Sequence, residues 1–123
     1  MITPKDYLMG RDKIYPISKD QAVAMADLLA RVNHLLAMFK INAQLTSGYR
    51  PGHFNKAAGG SARSGHLTCH AIDIADHDGA IGEMLRNNLK LLEEYGLWIE
   101  NPDHTPGWVH LDTKDRKNRM FNP

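Results

Sequence analysis

Cysteine is almost absent: the 123 residues hold one, Cys69. That excludes an internal disulfide, so folding does not depend on an oxidising compartment. Net charge is nearly absent as well, +1 with the histidines neutral, which argues against the basic footprint of a nucleic-acid binder. Long apolar runs are also missing. No segment reaches the roughly 20 apolar residues that span a bilayer, which speaks against membrane insertion. The opening MITPKDYLMGRDKIYPISKD has no stretch fit for a signal peptide. These absences imply a chain made and folded in a cytoplasm, with any role outside the cell reached by carriage or release. Internal repeats and low-complexity segments are missing too.

At 123 residues the chain is long enough for one real core and too short for two, so a single domain over 1–123 is expected. The basic run Lys114, Arg116, Lys117 and Arg119 reads as a solvated tail. Ser18 followed by Gln21 is a capping box. From there Met25, Leu28, Leu29, Val32, Leu35, Leu36 and Phe39 keep helical spacing, which predicts a helix over about 19–40. Residues 42–49 (NAQLTSGY) read as a short strand. The Gly-, Pro- and Ser-rich stretch 50–68 reads as a long irregular loop, and a loop that long usually serves a function. Residues 70–75 alternate as a strand, 76–96 read as one helix stopped by Gly96, and 97–100 and 108–112 as two more strands. This order predicts an α+β fold, a small antiparallel sheet with helices packed on one face.

The strand at 70–75 contains an oddity. Ile72 and Ile74 share one face, whereas Ala71, Asp73 and Ala75 share the other. A carboxylate there is costly to bury without a positive partner. On the last strand Trp108, His110 and Asp112 share a face by the same alternation, and His66 stands at the mouth of the preceding loop. Two imidazoles and one carboxylate from separate segments can make a three-ligand open Zn2+ site, with the fourth position left for water. Mixed nitrogen and oxygen donors suit zinc better than magnesium or calcium. Spacing alone leaves a second reading open, in which Asp73 caps a turn or pairs with Arg50 or Arg63 and the histidines lie on the surface.

Taken in order, SGYR (47–50), NKAAGGSARSGHLTCHAIDI (55–74), WIE (98–100) and WVHLD (108–112) resemble the zinc D-Ala-D-Ala carboxypeptidases and related peptidoglycan endopeptidases. That group has the hedgehog/DD-peptidase-like fold and includes phage endolysins that cut L-alanyl-D-glutamate bonds. Its pattern Ser-x-His-x-x-Gly-x-Ala-x-Asp is matched by Ser64, His66, Ala71 and Asp73, and its closing Trp-x-His by Trp108 and His110. The resemblance covers about residues 45–112. It implies His66, Asp73 and His110 as metal ligands and Arg50 as the group that holds substrate and stabilises charge on the attacked carbonyl. Ser64 and Trp108 join Arg50 as expected substrate contacts. The implied substrate is a peptidoglycan stem peptide, cut by an endopeptidase or a D-Ala-D-Ala carboxypeptidase. A holin or a virion would give access to the wall.

Two positions depart from the pattern. Many relatives carry a glutamate three residues before the last histidine, where this chain has Gly107; others carry it at the end of the preceding strand, where this chain has Glu100. Glu100 is therefore the expected general base, with Asp103 and His104 as substitutes on the same loop and His104 also a possible oxyanion donor. Cys69 replaces the pattern's glycine. A thiolate there could become a fourth ligand and close the site, although a small buried cysteine is also tolerated by packing. The alternative from another class is a non-catalytic zinc module that binds the wall or belongs to a virion.

Overall fold

The computed structural model describes residues 1–59 and 63–123. The chain opens with a short helix α1 (Pro4–Leu8), capped by Thr3, and a 3-10 turn at Arg11–Lys13. Helix α2 (Lys19–Met38) follows, and both reciprocal hydrogen bonds of the Ser18/Gln21 capping box are present. Its buried residues Met25, Leu28, Leu29, Val32, Leu35 and Leu36 are the ones whose spacing predicts the helix.

Strand β1 (Leu45–Ser47) is shorter than the 42–49 expected, because its pairing with β2 (Ala71–Asp76) shifts register between Leu45 and Ser47. Such a bulge interrupts the ladder and re-aims the side chains beside it. The expected loop over 50–68 contains a helix, α3 (Gly52–Ala57), entered through Pro51. Six residues are too few for a helical period to register. Residues 60–62 of that expected loop lie outside the described residues.

The single helix expected over 76–96 is two, α4 (Ala80–Arg86) and α5 (Leu89–Tyr95). Asn87 and Asn88 cause the break: their side-chain amides donate to the carbonyls of Glu83 and Met84, competing with the backbone for the ladder. At the start, Asp76 stays in the strand and its carboxylate accepts from the Ile81 and Gly82 amides, so the helix begins four residues late.

Strand β3 (Trp98–Glu100), a 3-10 turn (Pro102–His104), β4 (Gly107–Asp112) and β5 (Met120–Phe121) complete an α+β fold with a five-stranded sheet in the order β1-β2-β4-β3-β5. Every pairing is antiparallel except β3 with β5, a parallel pair that the sequence does not announce. Of the four basic residues expected in a solvated tail, Lys117 is exposed and the other three are engaged. Arg116 binds Asp112 and lies 3.6 Å over the Phe121 ring, Arg119 lies 4.0 Å over Trp98, and the Lys114 ammonium donates to the Arg63 carbonyl.

The β2/β4 register decides everything about the site. Ile72 lies opposite Leu111 and Ile74 opposite Val109, all four at most 1% exposed and part of one core with Leu28, Val32 and Leu35 of α2. Burying each such side chain stabilises the fold by about 1.5–3 kcal/mol. Alternation then forces the opposite face to carry Asp73 across from His110 and Ala75 across from Trp108. Among the described residues no helix is long and apolar enough to cross a membrane.

Candidate metal centre

The core therefore sets Asp73 and His110 against each other. Asp73 Oδ1 is 2.9 Å from His110 Nδ1 and its Oδ2 is 3.3 Å from His66 Nε2. The three side chains are 13%, 12% and 1% exposed, and their ligand atoms all lie within 4.8 Å of one another. The small neighbours Ala71 and Ala75 on the same strand leave the floor around Asp73 uncrowded.

His66 comes from the turn before β2. Its amide is bonded to Ser64 Oγ, its carbonyl accepts from the Arg50 amide, and its Nδ1 lies 2.8 Å from the Gly48 carbonyl. The carbonyl can only accept, so Nδ1 carries the proton and Nε2 presents a lone pair to the site. That nitrogen is buried and has no hydrogen-bond partner. Gly48 is obligatory for a packing reason: a Cβ there would collide with the Tyr7 carbonyl. Tyr7, fully buried, holds the other side of this contact by donating from its hydroxyl to the Ala71 carbonyl at 2.7 Å.

His110 is held from behind. Its Nε2 is 3.0 Å from Asp112 Oδ2, and that fully buried carboxylate also accepts from the Lys114 amide and the Arg116 guanidinium. This is the carboxylate-histidine arrangement that orients metal ligands. The alternation of β4 puts Asp112 on the face of His110 without marking its role; the signal in the sequence is an acid two residues beyond a candidate ligand on one strand. Burial opposes a charge on His110, but the contacts with Asp112 and Asp73 push its pKa up to about 9. Burial likewise opposes the charge on Asp73, and the hydrogen bond with His110 and the fields of the two imidazoles outweigh it, holding its carboxyl far below the usual range.

The residues fit a metal. An orphaned imidazole nitrogen, a carboxylate held ionised and a second imidazole braced by a buried acid supply two nitrogens and one oxygen at one point, the donor set of a three-ligand site. Cys69 is not part of the group. Its thiol is buried and pushed up to about 11 by that burial, and its backbone sits at φ 65°, the left-handed region that favours the glycine of the related pattern. His70 turns to the Thr68 hydroxyl at 2.8 Å.

A cleft of about 580 Å³ opens over this group, and Arg50, Ser64, Glu100 and Trp108 line it beside the three candidate ligands. Glu100, at the end of β3, is half-buried; desolvation raises its pKa above the ordinary glutamate value. Arg50 Nε is buried without a partner, and burial lowers the arginine's pKa although Asp73 acts the other way. Neither loop substitute lines the cleft, although His104 is near enough for its field to act on Glu100. Asp103 is exposed and paired with Arg86 at 3.1 Å, and His104 is exposed on the 3-10 turn and does not line the cleft.

A family model described as Peptidase M15 matches residues 10–112. The chain belongs to the peptidase M15 family. No curated protein and no solved structure matches it. The match begins upstream of the stretch on which the sequence resemblance rests and takes in the turn at Arg11–Lys13, α2 and the strands through Asp112. Membership makes this M15 chain a peptidase, and the His66, Asp73 and His110 group is where it could hold a metal.

Proposed function

We propose that the protein is a zinc peptidase that hydrolyses an internal amide bond of peptidoglycan stem peptides. The convergence of His66 Nε2, the Asp73 carboxylate and His110 Nδ1 on the floor of a cleft walled by Glu100 and Arg50 carries this reading. Zinc bound there supplies Lewis-acid polarisation of the scissile carbonyl and lowers the pKa of water to about 7. The chain's own groups do the rest. Glu100, with a proton affinity raised by partial burial, accepts a proton from the attacking water and returns it to the leaving amine nitrogen. Arg50 faces the developing oxyanion with a fixed positive charge in a site partly shielded from solvent. Trp108 offers an apolar wall to the peptide, and Ser64 keeps the His66 turn in place.

An internal bond is favoured because, among the described residues, further hollows adjoin the cleft on two sides. Beyond Ser64 a hollow continues along Thr68, His70 and Thr113, and beyond Asp73 another runs past Gly107 and Pro106 to Arg11. Gly107, at φ 93° with open space where a Cβ would stand, leaves the second passage clear. A chain can therefore lie through the site. Cell-wall lysis follows as the biological role, with a holin or a virion giving access to the wall.

Digestion of purified peptidoglycan, with mass spectrometry of the products, tests the reading. Zinc-loaded protein should release fragments cut within the stem peptide, and chelation should stop it. Release of D-alanine alone would make it a carboxypeptidase. Zinc binding without any product would leave a non-catalytic wall-binding module.

A further inference from the structure

The hollow beyond Asp73, about 430 Å³, is lined by two arginines, Arg11 from the N-terminal 3-10 turn and Arg50 after β1, together with Thr46, Ser47 and Trp108. Arg11 is fixed rather than free to swing: its Nη1 donates to the Tyr49 carbonyl at 2.8 Å and its guanidinium lies 4.6 Å from the centre of the Phe54 ring. Neither arginine forms an ion pair with a carboxylate among the described residues, whereas Arg31, Arg86 and Arg116 all do. Arg50 Nε, buried in the same place, has no acceptor. Burial disfavours the charge on Arg50 and the field of Arg11 adds to that, whereas Asp73, which lines the same hollow, favours it; the Asp73 carboxylate is itself taken up by His110 and His66. Like charges that cost stability in the free protein are offset when an anion enters between them, and the planar fork of a guanidinium matches a carboxylate.

We propose that Arg11 and Arg50 form a two-guanidinium clamp that selects peptides carrying a free carboxylate close to the scissile amide. The proposal rests on the peptidase reading for the identity of the ligand and adds Arg11 as a specificity residue. Arg11 lies far upstream of Arg50 in the chain. It reaches this hollow because the Tyr49 amide bonds to the Tyr7 carbonyl, which ties the N-terminal segment to the end of β1.

Two pairs of synthetic stem peptides test it. In one pair the D-glutamyl α-carboxylate is free or amidated; in the other the C-terminal carboxylate is free or amidated. Binding to metal-free protein, followed by tryptophan fluorescence because Trp108 lines the hollow, separates recognition from turnover. Wild type should bind the acid of one pair at least tenfold more tightly than its amide. Discrimination in the first pair identifies a carboxylate inside the chain, and in the second a chain end; either upholds the clamp. Arg11→Gln should bring the ratio below threefold, whereas Arg11→Lys, which restores the charge, should recover part of it. Equal binding of acid and amide by wild type in both pairs overturns the clamp. So does an Arg11→Gln protein that keeps the full ratio. Discrimination by the metal-free protein, with no hydrolysis of any of the four peptides once zinc is added, would sink the peptidase reading and leave the clamp standing.

Discussion

Glu100 and Cys69 are two residues whose surroundings set their chemistry. At Glu100 partial burial penalises the charged form, so the carboxyl holds its proton to a higher pH than an ordinary glutamate. A general base works only when deprotonated. The hydrolysis rate should therefore fall as pH drops and Glu100 takes up its proton, read from kcat/KM against pH. Glu100→Gln should lower kcat by about 10²- to 10⁴-fold with the zinc content unchanged by atomic absorption; near-normal turnover would remove Glu100 from the mechanism. Cys69 occupies a left-handed conformation at φ 65° while its side chain is fully buried. For a non-glycine residue that conformation costs roughly 1–2 kcal/mol. Cys69→Ala keeps the strain and loses the sulfur's contacts, whereas Cys69→Gly loses slightly more surface and relieves the strain. The glycine variant should be the more stable of the two in urea unfolding. The opposite order would show that packing, not backbone strain, governs the position.

The elements show where sequence reading reaches and where it stops. Helix α2 was legible from a capping box and a sustained period, and β2 from strict alternation that already set Asp73 apart from the isoleucines. The break between α4 and α5 was not, because the apolar period runs on through Leu85, Leu89 and Leu92 while two asparagine amides divert the backbone. Helix α3 and strand β5 are too short to leave a pattern. The buried acid Asp112 was hidden for another reason: its task depends on a ring held by tertiary contacts. Its loss should be measurable at the element that carries it. Asp112→Asn frees Arg116 from its pair and loosens the orientation of His110, which should weaken zinc affinity about 10- to 100-fold in a competition titration with a chromophoric chelator. Gly48→Ala should do more damage, because the collision with Tyr7 displaces the very carbonyl that fixes the His66 tautomer. Unchanged zinc affinity in both variants would show that neither partner orients its histidine.

For the molecule as a whole, candidate ligands at positions 66, 73 and 110 meet only because β2 and β4 are adjacent in the order β1-β2-β4-β3-β5. Local periodicity names the strands but says nothing of which neighbours which. Joining three segments through one ion gives zinc a mechanical consequence beyond catalysis. The unfolded chain has no such site, so binding the folded form stabilises it by about 2.7 kcal/mol when free zinc is 100 times the dissociation constant. For a chain of this size that raises the melting temperature by roughly 10 °C. Calorimetry with and without a chelator should show the difference. Asp73→Asn should abolish it, since the amide cannot supply the anionic oxygen between the two imidazoles. If the wild type melts at the same temperature in both conditions while zinc remains bound elsewhere on the protein, the ion is not held by this group.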